Sequence, residues 1–289
     1  MTKLTTGSAT KRPRVDACVL SYKLADVTNA TVDLLHRQCH FNLNSDLFVF
    51  ENRENPYVDD EPLADRMVKQ VELDLSWGVT HFTGANLRMT GGFNYICDWL
   101  QSSGFKLDVV WLCTNDFQIP NIENSPDVKV RIQDAFMNPS PTGKPVGWWH
   151  PSKTRVEGYA FPWMHNQLNP QATTTLRSAW MTDFICPAIR WDLLKAIRAE
   201  RGYWFDPRFY RGWGIDYETC YLIRKMGYDV VVDDAITINH ESSATYIRGL
   251  APESKEQFYD KAIEEMRMVL TAKYGPNWLD LFKGEYREG

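Results

Sequence analysis

Four titratable side chains stand where a group-transfer reaction would need them: Asp116, Asp216, Glu218 and His240. Asp116 follows the apolar run DVVWLC at 108–113, after Thr114 and Asn115. A carboxylate at such a strand end offers the oxygen ligand that a hard divalent cation requires, and that cation readily bridges a diphosphate. The same position also suits a plain turn, where Asn and Asp are common. Asp216 and Glu218 lie in GIDYETC, at the start of a short amphipathic segment. An Asp there caps a helix and complements its dipole; equally, it can serve as a general base that takes a proton from an acceptor hydroxyl. Glu218, two residues on, leaves the helix on a different side and can orient a neighbouring group. His240 follows the run Ala235–Ile238. Its imidazole either makes a structural hydrogen bond or completes the shell of a metal held by Asp116 and phosphate oxygens. Asp233 and Asp234 read as a solvated turn, with cation binding as the alternative.

These groups need a scaffold that gathers distant stretches of chain. ACVLSY at 17–22 has strand length, Thr31–His40 carries Val32, Leu35 and Cys39 at helical spacing, and DLFVF at 46–50 reads as a second buried strand ending in Glu51, Asn52 and Arg53. Leu63, Met67, Val71 and Leu75 recur every four residues after Pro62, which predicts a helix over 61–77. A third strand follows at 79–83. Met89–Leu100 is helical in pattern, and 108–113 is a fourth strand. Gly91 and Gly92 would let backbone approach a nucleotide, but the full phosphate-binding fingerprint is absent. Alternating strands and helices imply an α/β fold, a Rossmann-like, mainly parallel sheet flanked by helices. Ligands of such sheets sit beyond the carboxyl ends of the strands, which singles out Ser21–Lys23, Glu51–Arg53 and Thr114–Asp116 by position. Over 120–175 the pattern breaks into Pro- and Trp-rich stretches such as NPSPTGKPVGWWHP and GYAFPWMHNQLNP, an irregular insert with short strands at most. Regularity returns with 184–189, a helix over 191–200, the Asp216 helix and a strand at 229–232. A last amphipathic helix over 255–273 carries Phe258, Ala262, Met266 and Val269 on one face.

Composition bounds the function. A chain of 289 residues can bury most of its apolar surface as one large domain or two small ones. Its 44% hydrophobic and 24% charged residues match a soluble globular protein. The 11 Trp and 13 Tyr exceed the needs of a core. Trp148, Trp149, Trp163, Trp180 and Trp213 either thicken that core or stack on sugar rings or bases, and Trp213, three residues before Asp216, is best placed to stack. A net charge of -5 provides no global positive field for nucleic acid or anionic membrane. The six cysteines form no CxxC pair and several sit in apolar runs, as buried free thiols do, which points to a reducing, cytoplasmic compartment. No apolar run approaches the ~20 residues of a membrane span. Residues 1–14 carry Lys3, Lys11, Arg12 and Arg14 with no acid and no apolar stretch, so they read as a disordered basic tail and not as a secretory signal.

Taken in order, these features resemble the GT-A glycosyltransferases, and among them glycosyltransferase family two. VLSYK at 19–23 is close to that family's first strand with its TYN ending. NLRMTGGFN at 86–94 is similar to its N-x-G-x-x-x-x-x-N segment, with Arg88 where glycine is usual, and WLCTND at 111–116 resembles the LNPD form of its metal motif. Residues 184–240 resemble the family's acceptor half almost element by element: an acidic motif, in which Ile215 replaces the first acid, then the turn RKMGY, a strand and a histidine. The resemblance covers 15–243 apart from most of 120–175. It implies a GT-A catalytic domain over 15–250, with a nucleotide-sugar half (15–119), the insert (120–175) and an acceptor half (176–250), followed by a helical extension over 251–289. It also implies an inverting transfer of a hexosyl or pentosyl group from a nucleotide-diphosphate sugar to an acceptor hydroxyl. In that reading Asp116 and His240 hold Mn²⁺ or Mg²⁺, Asp216 is the base, Ser21, Tyr22, Asn52, Asn86 and Asn115 meet the nucleotide, and Trp180, Trp213 and Glu218 meet the acceptor. The acceptor is open between a glycan and other hydroxyl-bearing classes, including a hydroxymethylated base of viral DNA that the net charge does not favour. Two other functions fit the same residues: a sugar-nucleotide nucleotidyltransferase, and a carbohydrate- or nucleotide-binding module without turnover.

Overall fold

The computed structural model describes residues 11–22, 24–52, 80–120, 127–154, 174–240 and 254–284. Its first strand, β1 (Val15–Ser21), is buried along its whole length. VDACVLS has no polar face to offer solvent, so it must sit inside a sheet covered on both sides. β2 (Leu47–Glu51) and then β3 (Thr80–Phe82) add in parallel on one side of β1, and β4 (Val109–Thr114) adds in parallel on the other. Beyond β4 the sheet is mixed. β8 (Ala188–Arg190) runs antiparallel to both β4 and β6 (Val146–Lys153), and β6 is parallel to β9 (Asp229–His240). Two short strands, β5 (Phe117–Gln118) and β7 (Leu176–Ala179), lie antiparallel to β9. The order β3-β2-β1-β4-β8-β6-β9-β5, with β7 also on β9, makes a nine-stranded, mainly parallel sheet.

The two faces of the sheet bury separate cores, and strand alternation decides which side chain joins which. Cys18, Leu20, Phe48, Phe50, Val110 and Leu112 face a core shared with α2 (Arg88–Ser102), α4 (Trp191–Arg201), α5 (Ile215–Lys225), α6 (Lys255–Tyr274) and α7 (Trp278–Lys283). Ala17, Val19, Leu47, Val49, Trp111 and Cys113 face the other, with α1 (Ala25–Asp33, continued by one π turn to Gln38) and α3 (Val128–Met137). Gly92 sets the distance between α2 and β1. A Cβ there would stand 2.7 Å from the Leu20 methyls, so Gly92 permits close packing of helix on sheet.

Two sequence expectations meet a different outcome, and a third falls where the structure is not described. The helix over 61–77, with Arg53 and Trp163, lies outside the described residues. Inside the stretch 120–175, α3 and the eight-residue β6 are regular elements. β6 hides from periodicity because VGWWHPSK is buried throughout and so shows no polar alternation. Trp148 and Trp149 are fully buried on opposite faces, as core residues. Lastly, Asp233 and Asp234 are no solvated turn. β9 continues through them, with extra residues 234–236 bulging between the pairs Pro151–Asp233 and Ser152–Thr237. Both carboxylates are buried and paired, Asp233 with Arg131 of α3 (Nε–Oδ2 3.0 Å) and Asp234 with Arg177 of β7 (2.8 Å). Arginines supplied from elsewhere in the fold turn a polar pair into a sheet interior.

Candidate active site

At the end of β4 the chain turns through Asn115 and Asp116 into β5, whose Phe117 pairs with His240 at the end of β9. This short antiparallel contact sets His240 Nε2 3.2 Å from Asp116 Oδ1, each side chain 17% exposed and so within reach of a ligand. Burial pushes the Asp116 carboxyl up, but the neighbouring His240 outweighs it and holds the group below the usual carboxylate range. Asp116 Oδ1 is buried and has no aligned hydrogen bond. An under-satisfied carboxylate oxygen beside an imidazole nitrogen is a donor set that suits a divalent cation. Among the described residues no group of three or more His, Cys, Asp or Glu side chains forms. A cation here would have two protein ligands and would take its other oxygens from a ligand or water.

Around this pair a neutral polar lattice ties the strand ends to α1. Thr28 donates its hydroxyl hydrogen to the Leu24 carbonyl (2.8 Å), so it accepts from Ser21 (2.6 Å) and from the Asn115 amide (2.8 Å). Thr31 donates to the Asn115 carbonyl (2.7 Å). Ser21 and Asn115 are thereby brought together through Thr28, which, like Thr31, escapes sequence reading because it sits on an otherwise ordinary amphipathic helix. Tyr22 follows, half-buried. Asn52 plays a different part from a free contact residue. Its side chain accepts from the Leu87 N–H (2.9 Å) and Thr83 hydroxyl (3.2 Å) and donates to the Arg88 carbonyl (2.9 Å), which fastens the β3–α2 loop. Exposed Asn86 accepts from the Arg88 N–H (3.0 Å) on the rim of that loop. Arg88 has φ +59°, a left-handed conformation that favours the glycine usual at this motif position.

The other half of the site is carried by α5. Gly214 precedes it with φ +104°, and a Cβ there would lie 2.6 Å from the Phe209 ring, so only glycine fits. Asp216 follows in the first turn, 6% exposed, its Oδ1 accepting the N–H groups of Tyr217 (2.8 Å) and Gly214 (3.2 Å). Burial, reinforced by the charge of Asp183, raises its carboxyl to about 8. The loop leading to it is held by α2: Asn94 donates to the Phe205 carbonyl (2.9 Å) and accepts from its N–H (3.0 Å), and Thr90 donates to the Phe209 carbonyl. The last Asn of NLRMTGGFN thus supports the loop before Asp216.

Glu218 is turned toward the C-terminal helix, where Tyr274 (2.6 Å) and Lys273 hold it, and Lys273 also reaches Asp206 (2.7 Å) and Tyr203 (2.6 Å). Trp180, 2% exposed, is a core residue edge-on to Tyr217. Half-buried Trp213 lies 5.1 Å from the Tyr259 ring. The structure therefore gathers Asp116 with His240 and Ser21 with Asn115, and sets Glu218 and Trp180 among packing partners. It also shows a pair the sequence reading missed: Lys153, the last residue of β6, and Asp183.

No protein-family model matches the sequence, and no curated protein matches it. Solved structures do match in fold. One is GalNAc-T7 with UDP, GalNAc and Mn²⁺, at 11% identity and a TM-score of 0.50, covering 80% of this chain and 44% of that one. Another is the mannosyltransferase PcManGT from Pyrobaculum calidifontis with GDP-Man and Mn²⁺, at 14% identity and a TM-score of 0.46, covering 94% of this chain and 74% of that one. The chain spans less than half the length of the GalNAc-T7 structure. The sheet, its flanking helices and this likeness define the chain as having the GT-A glycosyltransferase fold.

Proposed function

We propose that this protein is an inverting, metal-assisted glycosyltransferase that moves a hexosyl or pentosyl group from a nucleotide-diphosphate sugar to an acceptor hydroxyl. The observation that carries the reading is the Asp116–His240 contact at the carboxyl end of β4 in a GT-A fold. GalNAc-T7, similar in fold, is seen with a nucleotide, a sugar and Mn²⁺. Asp116 and His240 would hold Mn²⁺ or Mg²⁺, which when bound offsets the charge gathering on the departing diphosphate. Ser21, Tyr22, Asn86 and Asn115 border the nucleotide, with Asn52 shaping the loop that carries Asn86. Asp216, whose raised proton affinity suits a general base, takes the proton of the acceptor hydroxyl as that oxygen attacks the anomeric carbon. Trp213 lines the acceptor side, and Trp180 and Glu218 support it from beneath. In this reading 15–250 is the catalytic domain and 251–289 an extension, whose Met266, Val269, Leu270 and Phe282 share the core of α5.

All six cysteines are free and buried, which supports a reducing compartment such as the cytoplasm. No helix among the described residues is long and apolar enough to cross a membrane. The test is release of nucleoside diphosphate from UDP-, GDP- and TDP-sugars, with Mn²⁺ or with chelator, by wild type and Asp216→Asn. Metal-dependent release that the variant loses is expected. Release of pyrophosphate instead would identify a nucleotidyltransferase, and metal-dependent binding with no release would identify a binding module.

A further inference from the structure

Residues 182–186 cross the gap between the two halves of the site. At one end Thr182 is locked by the Trp148 indole N–H (2.6 Å), and its backbone meets the Cys220 thiol, one helical turn after Asp216. At the other end the Ile185 carbonyl accepts the N–H of Thr114 (2.8 Å), two residues before Asp116. Asp183 lies between. Its Oδ1 accepts the Phe184 N–H (2.9 Å), and its Oδ2 lies 3.3 Å from Lys153 Nζ. Lys153 is tied to the same gap, since it pairs with Ile238, two residues before His240.

The pair is lopsided. The Lys153 side chain is 2% exposed, whereas Asp183 is 21% exposed. A buried ammonium is costly unless it is paired, and here it lies against a more open carboxylate and holds it in one orientation. The backbone N–H of Phe184 fixes the other oxygen. What remains is a set of carboxylate lone pairs at the carboxyl edge of the sheet, between the metal pair and the base. An ionised carboxylate only accepts hydrogen bonds, so the partner it fits is a group of hydroxyl donors.

In the proposed reaction the diphosphate lies at Asp116 and His240 and the attacking hydroxyl lies at Asp216, so the donor sugar must occupy the interval. We propose that Asp183 binds hydroxyl groups of the donor sugar and selects among sugars by them, with Lys153 as the positioning residue that orients its carboxylate. This inference rests on the glycosyltransferase reading and deepens it. Asp183 also adds a like charge to the field at Asp216.

The experiment compares wild type, Asp183→Asn and Lys153→Met on UDP-glucose, UDP-galactose and GDP-mannose and on their monodeoxy analogues, reading sugar-nucleotide hydrolysis with Mn²⁺. Wild type should prefer one parent sugar over a deoxy analogue by about 10- to 100-fold, the value of a hydrogen bond to a charged group. In Asp183→Asn and Lys153→Met that ratio should fall to within roughly threefold of unity, the rest of the preference having come from this one carboxylate. Lys153→Arg should restore part of it. Affinity for UDP or GDP with Mn²⁺, which lack the sugar, should stay unchanged and doubles as the test of folding. Should Asp183→Asn fail to fold, Asp183→Glu keeps the charge and moves it by one methylene, and the deoxy position it tolerates should change. Unaltered discrimination in a variant that still binds the nucleotide would reduce Asp183 to a structural role and leave the transferase reading standing. A wild type that neither binds nor hydrolyses any of the three donors would remove both.

Discussion

Asp116 and Asp216 are both covered by protein, yet the two halves of the site treat them in opposite ways. Asp116, at a strand end, has an imidazole 3.2 Å away and stays ionised well into acid. Asp216, in the first turn of a helix, has two backbone N–H donors but, among the described residues, no counter-charge in contact to offset burial, and Asp183 adds a like charge, so its carboxyl rises to about 8. Burial alone therefore says little about what an acid can do. The partner decides: one environment makes a permanent anion suited to a cation, and the other makes a group that takes and gives up a proton near neutrality.

The largest expected break in this contrast is Asp216→Asn. Loss of a general base should lower turnover by about 10²- to 10⁴-fold while metal-dependent binding of nucleoside diphosphate persists, as product release and calorimetry would show. Normal turnover in the variant would take Asp216 out of the base role. Next comes the support beneath it. Lys273 joins buried Asp206 and Glu218; Asp206 keeps Arg208, but Lys273→Met leaves covered Glu218 without this cation and should lower stability by about 3 kcal/mol, measured by urea unfolding. An unchanged midpoint would mean that α6 does not brace the base loop.

Asp116→Ala should act on the other half alone, weakening Mn²⁺-dependent nucleotide binding by about 10- to 100-fold and leaving binding in chelator where it was. Equal affinity with and without metal in both proteins would break the metal assignment. The smallest effect is on pH. A base works when ionised, so kcat/KM should rise with pH along a limb near pH 8, and Asp183→Asn should move that limb down. Stability runs the other way. The folded carboxyl of Asp216 binds its proton more tightly than the unfolded one, so its contribution is full below the unfolded value and is lost as pH rises through about 8. Melting temperatures at pH 5, 7 and 9 should therefore fall less steeply in Asp216→Asn than in wild type.

Much of this arrangement is legible in the chain. Apolar runs ending in Ser21, Asn52 and Asn115 mark the carboxyl edge of a parallel sheet, because strand period and burial are local matters. Gly214 before Asp216 signals a turn that only glycine accommodates. Lys153 and Asp183 stay illegible for the converse reason. Each is an ordinary charged residue in its own stretch, and only the ladder that pairs β6 with β9, and the bond from Ile185 to Thr114, puts them side by side. The acids at 233 and 234 mislead in the same way, since their arginines come from α3 and β7.

What the sequence determined by itself is the set of elements and the chemical kind of each group at their ends, because hydrophobic period, glycine conformation and helix start are short-range properties. Tertiary structure alone decided the partners. The antiparallel contact of β5 with β9, reached through a bulge past Asp234, brought His240 to Asp116; among the described residues no such contact stands at Asp216. Proton affinity depends on charges a few ångströms away in space, and those distances exist only once the sheet has closed.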